Sequence, residues 1–224
     1  MNLEQARFNM IEQQIRPWDV LDADVLELLT VVKREAFVPP AYRSMAFVDA
    51  EIPLPGGENM LQPKFEARIL QELAVKKHEQ VLEIGSGSGY MAALLAFKAR
   101  HVTTVDILPE LADMARANLA AYGVDNADVQ QGDGVRGWPA AGADSKADPA
   151  YDVIVVSGST PILPQTLMQQ LKIGGRMFVV TGDAPAMSAQ LVTRMSDIGF
   201  NTVKLFETVI KPLHNAVTPS HFTF

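Results

Sequence analysis

The fold class of this chain is indicated most clearly by one run, Glu83-Ile84-Gly85-Ser86-Gly87-Ser88-Gly89-Tyr90. It places glycine at three alternate positions, directly after a short apolar stretch, residues 80–84, and directly before a helical pattern, residues 90–98. Glycine at such a turn lets the backbone adopt positive φ and come close to a ligand. The run therefore predicts a strand, a ligand-binding loop and a helix, in that order.

A dinucleotide-binding loop of the form G-x-G-x-x-G is the main rival interpretation. After Gly85 and Gly87, its third glycine would fall on Tyr90, so this interpretation is disfavoured. A plain glycine turn between a strand and a helix stays open as an alternative. The residues at the ends of the next two predicted strands help to distinguish a ligand-binding loop from a plain turn.

Short apolar runs and helical patterns alternate around the loop, as is typical of βαβ units in a parallel sheet. The sequence predicts strands over residues 80–84, 102–105, 128–130, 153–156 and 177–180, and helices over residues 90–98, 109–122 and 164–171. Residues 189–195 and 202–207 are expected to add the last helix and antiparallel strands. The small, polar segment 140–150 is expected to be a surface loop.

The part of the chain before the sheet has a different pattern. Two helices are predicted over residues 2–15 and 24–32, and the proline- and glycine-rich segment 36–63 is expected to form an extended cover. A further helix is predicted to begin at Pro63. We expect one domain over residues 1–224, in which 1–78 form helices and a substrate cover and 79–224 form the cofactor-binding sheet.

Carboxylates follow the second and third predicted strands. Asp106, with Ile107 after it, lies where a carboxylate can accept hydrogen bonds from both ribose hydroxyls of an adenosine. The run Gly132-Asp133-Gly134 would place a second carboxylate near the exocyclic amine of adenine. A helix cap at Asp106 and an ordinary Asp-Gly turn at Asp133 remain alternatives.

The composition argues against several classes of protein. A formal net charge of -7 and a pI near 5.1 disfavour nucleic acid as a partner, because a phosphate backbone is held by clustered Lys and Arg. No apolar run approaches the roughly 18 residues of a membrane span, so we expect no membrane partner and a cytoplasmic location. The chain has no cysteine, and its four histidines lack ligand spacing, so no metal site is expected. The oligomeric state stays open.

The loop, with an acidic residue two positions before G-x-G-x-G, resembles the first motif of class I methyltransferases. The chain as a whole resembles the protein-L-isoaspartate O-methyltransferase family. Six segments carry this resemblance: residues 34–39, 53–63, 81–90, 132–134, 151–156 and 170–175. The resemblance implies an α/β fold with a doubly wound, mostly parallel seven-stranded sheet and an N-terminal helical cover.

The same resemblance implies the ligands. It implies S-adenosyl-L-methionine as the cofactor and a protein or peptide carboxylate, of the isoaspartyl type met in protein repair, as the methyl acceptor. Ser157 would face the substrate or belong to a plain turn. The expected cofactor-binding residues are Glu83, Gly85, Ser86, Gly87, Ser88, Gly89, Asp106, Ile107, Gly132, Asp133, Gly134 and Ser157.

The chain departs from the family pattern where the acceptor is expected. The family's usual Thr-Ile-Ser, one residue and Pro corresponds to Asn59-Met60-Leu61-Gln62-Pro63, so Leu61 stands at the serine without a hydroxyl. Asn59 and Lys211 are candidates to replace that hydroxyl. Two alternatives stay open: a paralogue that methylates another molecule, and an S-adenosylmethionine-binding protein without isoaspartyl activity. A carboxylate acceptor, with a pKa of about 4, needs no strong general base.

Overall fold

A seven-stranded sheet runs through the centre of the molecule in the order β5-β4-β3-β6-β7-β8-β9. The structure is a computed structural model that describes residues 2–140 and 149–218. Most of the surface loop expected over residues 140–150 therefore lies outside the described residues. The strands of the sheet are β3 (Gln80–Ile84), β4 (His101–Asp106), β5 (Ala127–Gln131), β6 (Tyr151–Thr160), β7 (Leu171–Asp183), β8 (Ala186–Arg194) and β9 (Phe200–Thr208).

Five neighbouring strands run parallel, in the spatial order β5, β4, β3, β6 and β7. Strands β8 and β9 follow as an antiparallel meander. Strand β3 pairs with β4 on one side and with β6 on the other, so the strand order reverses there. This arrangement confirms the predicted α/β fold with a doubly wound, mostly parallel seven-stranded sheet.

Both faces of the sheet are covered by helices, as a parallel sheet requires. In β6, Val153 and Val155 pack into the core on one face, and Ile154 and Val156 into the core on the other. All four side chains are fully buried. The helices are α1 (Leu3–Met10), α2 (Ala23–Val31), α3 (Pro63–Leu73), α4 (Tyr90–Lys98), α5 (Pro109–Tyr122) and α6 (Gln165–Gln170).

The predicted N-terminal cover packs against one face of the sheet. A π-helical turn, Ile11–Ile15, continues α1, and three 3-10 turns follow α2 (Arg34–Ala36, Pro40–Met45 and Pro55–Gly57). Strands β1 (Ile52–Pro53) and β2 (Asn59–Met60) then pair antiparallel. Helix α3 begins at Pro63, whose missing N–H costs nothing in the first turn. The paired strands thereby hold residues 59–61 directly before α3.

The prediction for the C-terminal region was partly wrong. Residues 189–195 contain no helix, because residues up to Arg194 belong to β8, while the antiparallel strands expected there are confirmed. Met187, Ala189 and Val192 are buried on β8, which pairs with β7 along its whole length. Tertiary pairing therefore outweighs the helix propensity of this Ala- and Gln-containing run.

Candidate active site

An open cleft lies at the carboxyl ends of β3, β4 and β6. This is the point at which the strand order reverses, where open α/β sheets bind their ligands. The cleft is closed on its outer side by residues 58–61 of the N-terminal cover and residues 211–214 after β9. Its two ends differ, and we call them the cofactor half and the acceptor half. The cofactor half comprises residues 83–88, 105–108 and 132–135. The acceptor half comprises residues 58–61, 157–158 and 211–214, together with Glu66 and Tyr90.

The glycine loop turns from β3 into α4 through positive φ angles at Gly85, Gly87 and Gly89. Gly87, with φ of 51°, lines the cleft. A side chain there would have an unfavourable backbone conformation, and its Cβ would lie 3.4 Å from Leu54 Cδ1. Gly89 does not line the cleft. A Cβ on Gly89 would lie 3.2 Å from the backbone of Ala115, so this glycine lets α5 pack closely against the loop. The role of Gly89 in cofactor binding therefore stays a prediction, and the structure gives this glycine a packing role.

Glu83 is a fully buried carboxyl group at the end of β3. The hydroxyl of Thr104 donates to Oε2 at 2.7 Å, and that of Ser157 donates to Oε1 at 3.0 Å. Burial raises the pKa of Glu83 to about 8, although both hydrogen bonds oppose this shift. Glu83 thus links the ends of β3, β4 and β6 beneath the cleft.

Asp106 lies beside the glycine loop at the end of β4. Its Oδ2 accepts a hydrogen bond from the backbone N–H of Gly87 at 3.0 Å, and its Oδ1 accepts one from Leu108 at 3.1 Å. Burial raises the pKa of the Asp106 carboxyl, and the backbone hydrogen bonds oppose that shift. Each carboxylate oxygen can accept a second hydrogen bond, so both can still receive a ligand hydroxyl.

Asp133 lies on the far side of the cofactor half. Its Oδ1 accepts from the backbone N–H of Val135 at 3.1 Å, which is the turn geometry expected of an Asp-Gly sequence. Its Oδ2 accepts from the side-chain amide of Asn215 at 3.0 Å. The carboxylate is therefore fixed in orientation while it lines the cleft.

In the acceptor half, Leu61 presents a buried apolar side chain beside an ion pair. Arg34 is fully buried, forms a salt bridge with Glu66 and donates from Nη2 to the carbonyl oxygen of Leu61 at 2.7 Å. Burial raises the pKa of Glu66 to about 7 against the opposing charge of Arg34. Arg34 also lies over the ring of Tyr90, whose buried hydroxyl has no hydrogen-bond partner within residues 2–140 and 149–218. The acceptor half is thus apolar at the Leu61 side chain, with the polar groups of Glu66 and Tyr90 beside it.

The outer rim of the acceptor half is held by one carboxylate. Glu58 Oε1 accepts from Lys211 Nζ at 3.0 Å and lies 3.1 Å from His214 Nε2. Asn59 is half-buried on the same rim, and its Nδ2 lies 3.5 Å from the carbonyl oxygen of Met60, which is at most a weak hydrogen bond. The amide of Asn59 is therefore available to another partner.

The structure brings the predicted site residues together, with Gly89 as the exception. Sequence reasoning missed Glu66, Tyr90 and Asn215. Glu66 could have been found from the sequence, because helical spacing places this charged side chain next to Phe65 on the buried face of α3. Asn215 and Asp133 are 82 positions apart in the sequence, and no local sequence pattern predicts a contact between them. The predicted residues that line the cleft are Asn59, Leu61, Glu83, Gly85, Ser86, Gly87, Ser88, Asp106, Ile107, Gly132, Asp133, Gly134 and Ser157.

The family model of the protein-L-isoaspartate(D-aspartate) O-methyltransferases matches residues 5–216. This chain belongs to that family. A protein-L-isoaspartate O-methyltransferase of Rhodopseudomonas palustris is 41% identical over 208 residues, with 92% of each chain covered. One from Methanoculleus marisnigri is 40% identical over 178 residues, which cover 80% of this chain and 78% of the relative.

Solved structures agree on the fold. A Plasmodium falciparum protein described as a candidate protein-L-isoaspartate O-methyltransferase, solved with S-adenosyl-L-homocysteine, matches with a TM-score of 0.77 at 17% identity. The match covers 95% of this chain and 98% of that one. A second protein-L-isoaspartate O-methyltransferase matches with a TM-score of 0.78 at 25% identity, covering 93% of this chain and 66% of that one.

These findings confirm the predicted enzyme class and its cofactor. The chain is an S-adenosyl-L-methionine-dependent methyltransferase of the protein-L-isoaspartate O-methyltransferase family. Within residues 2–140 and 149–218, no group of three or more His, Asp or Glu side chains is arranged to hold a metal ion. In the same residues, no helix has the length and apolar character needed to cross a membrane.

Proposed function

We propose that this protein transfers a methyl group from S-adenosylmethionine to the free carboxylate of an isoaspartyl residue in a protein or peptide. The observation that carries the proposal is that the glycine loop, Asp106 and Asp133 converge on one end of a cleft whose other end is formed by residues 59–61. Family membership supports the choice of acceptor. A protein as the substrate also agrees with a cleft that opens to the surface.

We propose that the cofactor half holds S-adenosylmethionine through the backbone of residues 85–88 and the carboxylates of Asp106 and Asp133. The residues fit the group, because the oxygens of Asp106 keep acceptor capacity for hydroxyls and the loop glycines leave room beside the backbone. Carboxylates near the ligand, Asp106 and Asp133, also suit a molecule that carries positive charge at sulfur and nitrogen. Ile107 and Leu108 line the cleft next to Asp106 and supply apolar contact.

Methyl transfer to a carboxylate requires little acid–base catalysis from the protein. Bound S-adenosylmethionine supplies a methyl group on a positively charged sulfur, which a carboxylate oxygen takes in a direct displacement that leaves a methyl ester and S-adenosylhomocysteine. A carboxylate is already ionised at neutral pH, so no proton has to be removed. The work of the chain is then to orient the acceptor and to keep water away from it. Residues 58–61 and 211–214 are placed to do both.

We propose that Leu61 forms the apolar wall of the acceptor site and that the donors to the acceptor come from elsewhere. A leucine side chain cannot donate a hydrogen bond, and a charged group buried without a donor is costly. Asn59 is a candidate donor, because its amide lies in the cleft lining with only a weak contact of its own.

We also propose that the chain works as one domain over residues 1–224. The support is a hydrophobic core that is continuous from Met10 and Leu29 in the N-terminal helices to Val81 and Phe178 in the sheet. The division into a cover, residues 1–78, and a sheet, residues 79–224, then describes two parts of one unit. A cytoplasmic location stays a prediction.

The test is methyl transfer from a labelled donor to an isoaspartyl peptide and to its aspartyl twin of the same sequence. We expect label on the isoaspartyl peptide alone, in a form that mild base releases, because a methyl ester hydrolyses readily. Label that appears only on another molecule in a cell extract would replace the proposed acceptor with that molecule. A protein that binds the cofactor and labels nothing would be a binding protein without turnover.

A further inference from the structure

Five of the residues that line the cleft are acidic, although its proposed acceptor is an anion. Among the lining residues in the described part of the chain, Lys211 is the one lysine or arginine, and His214 is the one histidine. Glu66 is already paired with Arg34, so a free carboxylate that enters the cleft is bound best where a solvent-exposed cation meets it. The acidic residues of the lining are Glu58, Glu66, Glu83, Asp106 and Asp133.

The backbone of Lys211 is anchored to the end of β6. The N–H of Ser159 donates to the carbonyl oxygen of Lys211 at 2.9 Å, and the N–H of Leu213 donates to the carbonyl oxygen of Ser159, also at 2.9 Å. A Cβ on Gly158 would lie 2.7 Å from Leu213 and 3.3 Å from the Lys211 carbonyl oxygen. Lys211 is therefore held directly against Ser157 and Gly158, in the last part of β6, where the pairing with β7 shifts register.

The ammonium group of Lys211 has an unused donor. It carries three N–H bonds. One donates to the carbonyl oxygen of Gly57 at 2.5 Å and another to Glu58 Oε1 at 3.0 Å. The third has no partner among residues 2–140 and 149–218, and 41% of the side chain is exposed. The group is thus fixed by two contacts and open at the third.

We propose that Lys211 recognises the acceptor carboxylate, with its third N–H bound to the carboxylate oxygen that does not attack the methyl group. The other oxygen stays free to react. Lys211 would then supply the hydrogen bond to the acceptor carboxylate that the side chain of Leu61 cannot donate. This inference rests on the proposed function, because it takes the acceptor to be a carboxylate.

A purely structural role for Lys211 makes a different prediction. If Lys211 served only to tie residues 211–214 to the cover through Glu58, removing either partner would loosen the same contact. Glu58→Gln and Lys211→Met would then raise the KM for the peptide alike. If Lys211 binds the acceptor, Glu58→Gln removes a competing carboxylate, and the KM should stay constant or fall.

The experiment measures kcat and KM for an isoaspartyl peptide, together with the Kd for S-adenosylhomocysteine. Lys204→Met is the matched control, because Lys204 is an exposed lysine on β9 whose Nζ lies 3.1 Å from Glu207 Oε1. We expect Lys211→Met to raise the KM for the peptide about tenfold or more, the usual effect of losing a hydrogen bond to a charged group. The Kd for S-adenosylhomocysteine should not change, Lys211→Arg should restore part of the loss, and Lys204→Met should behave as wild type.

Several results would overturn the inference. One is a Lys211→Met enzyme whose KM equals that of Lys204→Met, and another is a Glu58→Gln enzyme whose KM rises as far as that of Lys211→Met. Both leave the proposed function intact, because the wild type still turns over the peptide. A wild-type enzyme that transfers no methyl group to the isoaspartyl peptide overturns the proposed function and this inference with it.

Discussion

The two halves of the cleft are built in different ways. In the cofactor half, Glu83, Asp106 and Asp133 stand at or just after strand ends, and hydrogen bonds from the chain hold each carboxyl group. In the acceptor half, residues 58–61 come from an irregular cover and residues 211–214 from a segment beyond β9. There the Tyr90 hydroxyl is buried without a partner in the described residues, and Leu61 replaces a hydroxyl side chain.

This difference shows which residues can change the acceptor specificity of the enzyme. Strand register fixes the cofactor half, because β3 pairs with both β4 and β6 and a shift in one would disturb the others. The acceptor half depends on a few side-chain contacts, such as those of Glu58 with Lys211 and His214. Substitutions there can alter the acceptor site without disturbing the cofactor half.

The largest expected effect comes from Gly87→Val in the cofactor half. A β-branched residue at φ of 51° is strained, and relief of that strain would move the backbone N–H of residue 87 that donates to Asp106. We expect the affinity for S-adenosylhomocysteine, measured by titration calorimetry, to fall about a hundredfold or more, or about 2.7 kcal/mol.

The matched control for this change is Gly123→Val. Gly123 has φ of 79° at the end of α5, and a Cβ there meets no atom within 4 Å. It should cost stability and leave the affinity unchanged. Normal binding by Gly87→Val would mean that the loop is only a turn.

Asp106→Ala should have the next largest effect. Loss of the proposed hydrogen bonds from ribose to a carboxylate should cost about 1.5 to 3 kcal/mol, or about ten- to a hundredfold in affinity for S-adenosylhomocysteine. Asp113→Ala, on the exposed side of α5, is the control. An unchanged Kd in folded Asp106→Ala protein would refute the ribose assignment.

The buried carboxyl of Glu83 should make stability depend on pH. Its folded-state pKa of about 8 lies above the ordinary value of 4.5, so the folded state keeps a proton that the unfolded chain loses. The free energy of unfolding should therefore fall as the pH rises from about 4.5 to about 8, by up to about 1.4 kcal/mol per unit for one proton.

Glu66 contributes to the same fall, but mainly below its pKa of about 7. Denaturant unfolding of wild type and Glu83→Gln between pH 7 and 8 therefore isolates Glu83. We expect the variant to show the flatter dependence. Parallel curves for the two proteins would contradict the raised pKa.

The sequence predicted the cofactor half better than the acceptor half, for a physical reason. Alternating patterns and glycine spacing are local, so they located β3, the loop and Asp106 within a few residues. The contacts of Arg34 with Glu66 and of Asn215 with Asp133 join distant segments. The strand at residues 189–194 was missed for the same reason, because its pairing with β7 decides its conformation.

The smallest change is Leu61→Ser, and it tests whether the two halves are separable. A hydroxyl in the acceptor half can donate to the acceptor carboxylate. It should therefore raise kcat/KM for an isoaspartyl peptide about tenfold, a gain of about 1.4 kcal/mol. The Kd for S-adenosylhomocysteine should stay constant. Removing apolar bulk costs stability, about 2 to 4 kcal/mol, so Leu26→Ser, at a buried site in α2 away from the cleft, is the matched control.

The most direct measurement is kcat/KM for the isoaspartyl peptide in wild type, Leu61→Ser and Leu26→Ser, with the Kd for S-adenosylhomocysteine measured on the same samples. We expect weak wild-type turnover that rises in Leu61→Ser, no gain in Leu26→Ser and one common Kd. Robust wild-type turnover that falls in Leu61→Ser, or a Kd that shifts in that variant alone, would contradict it.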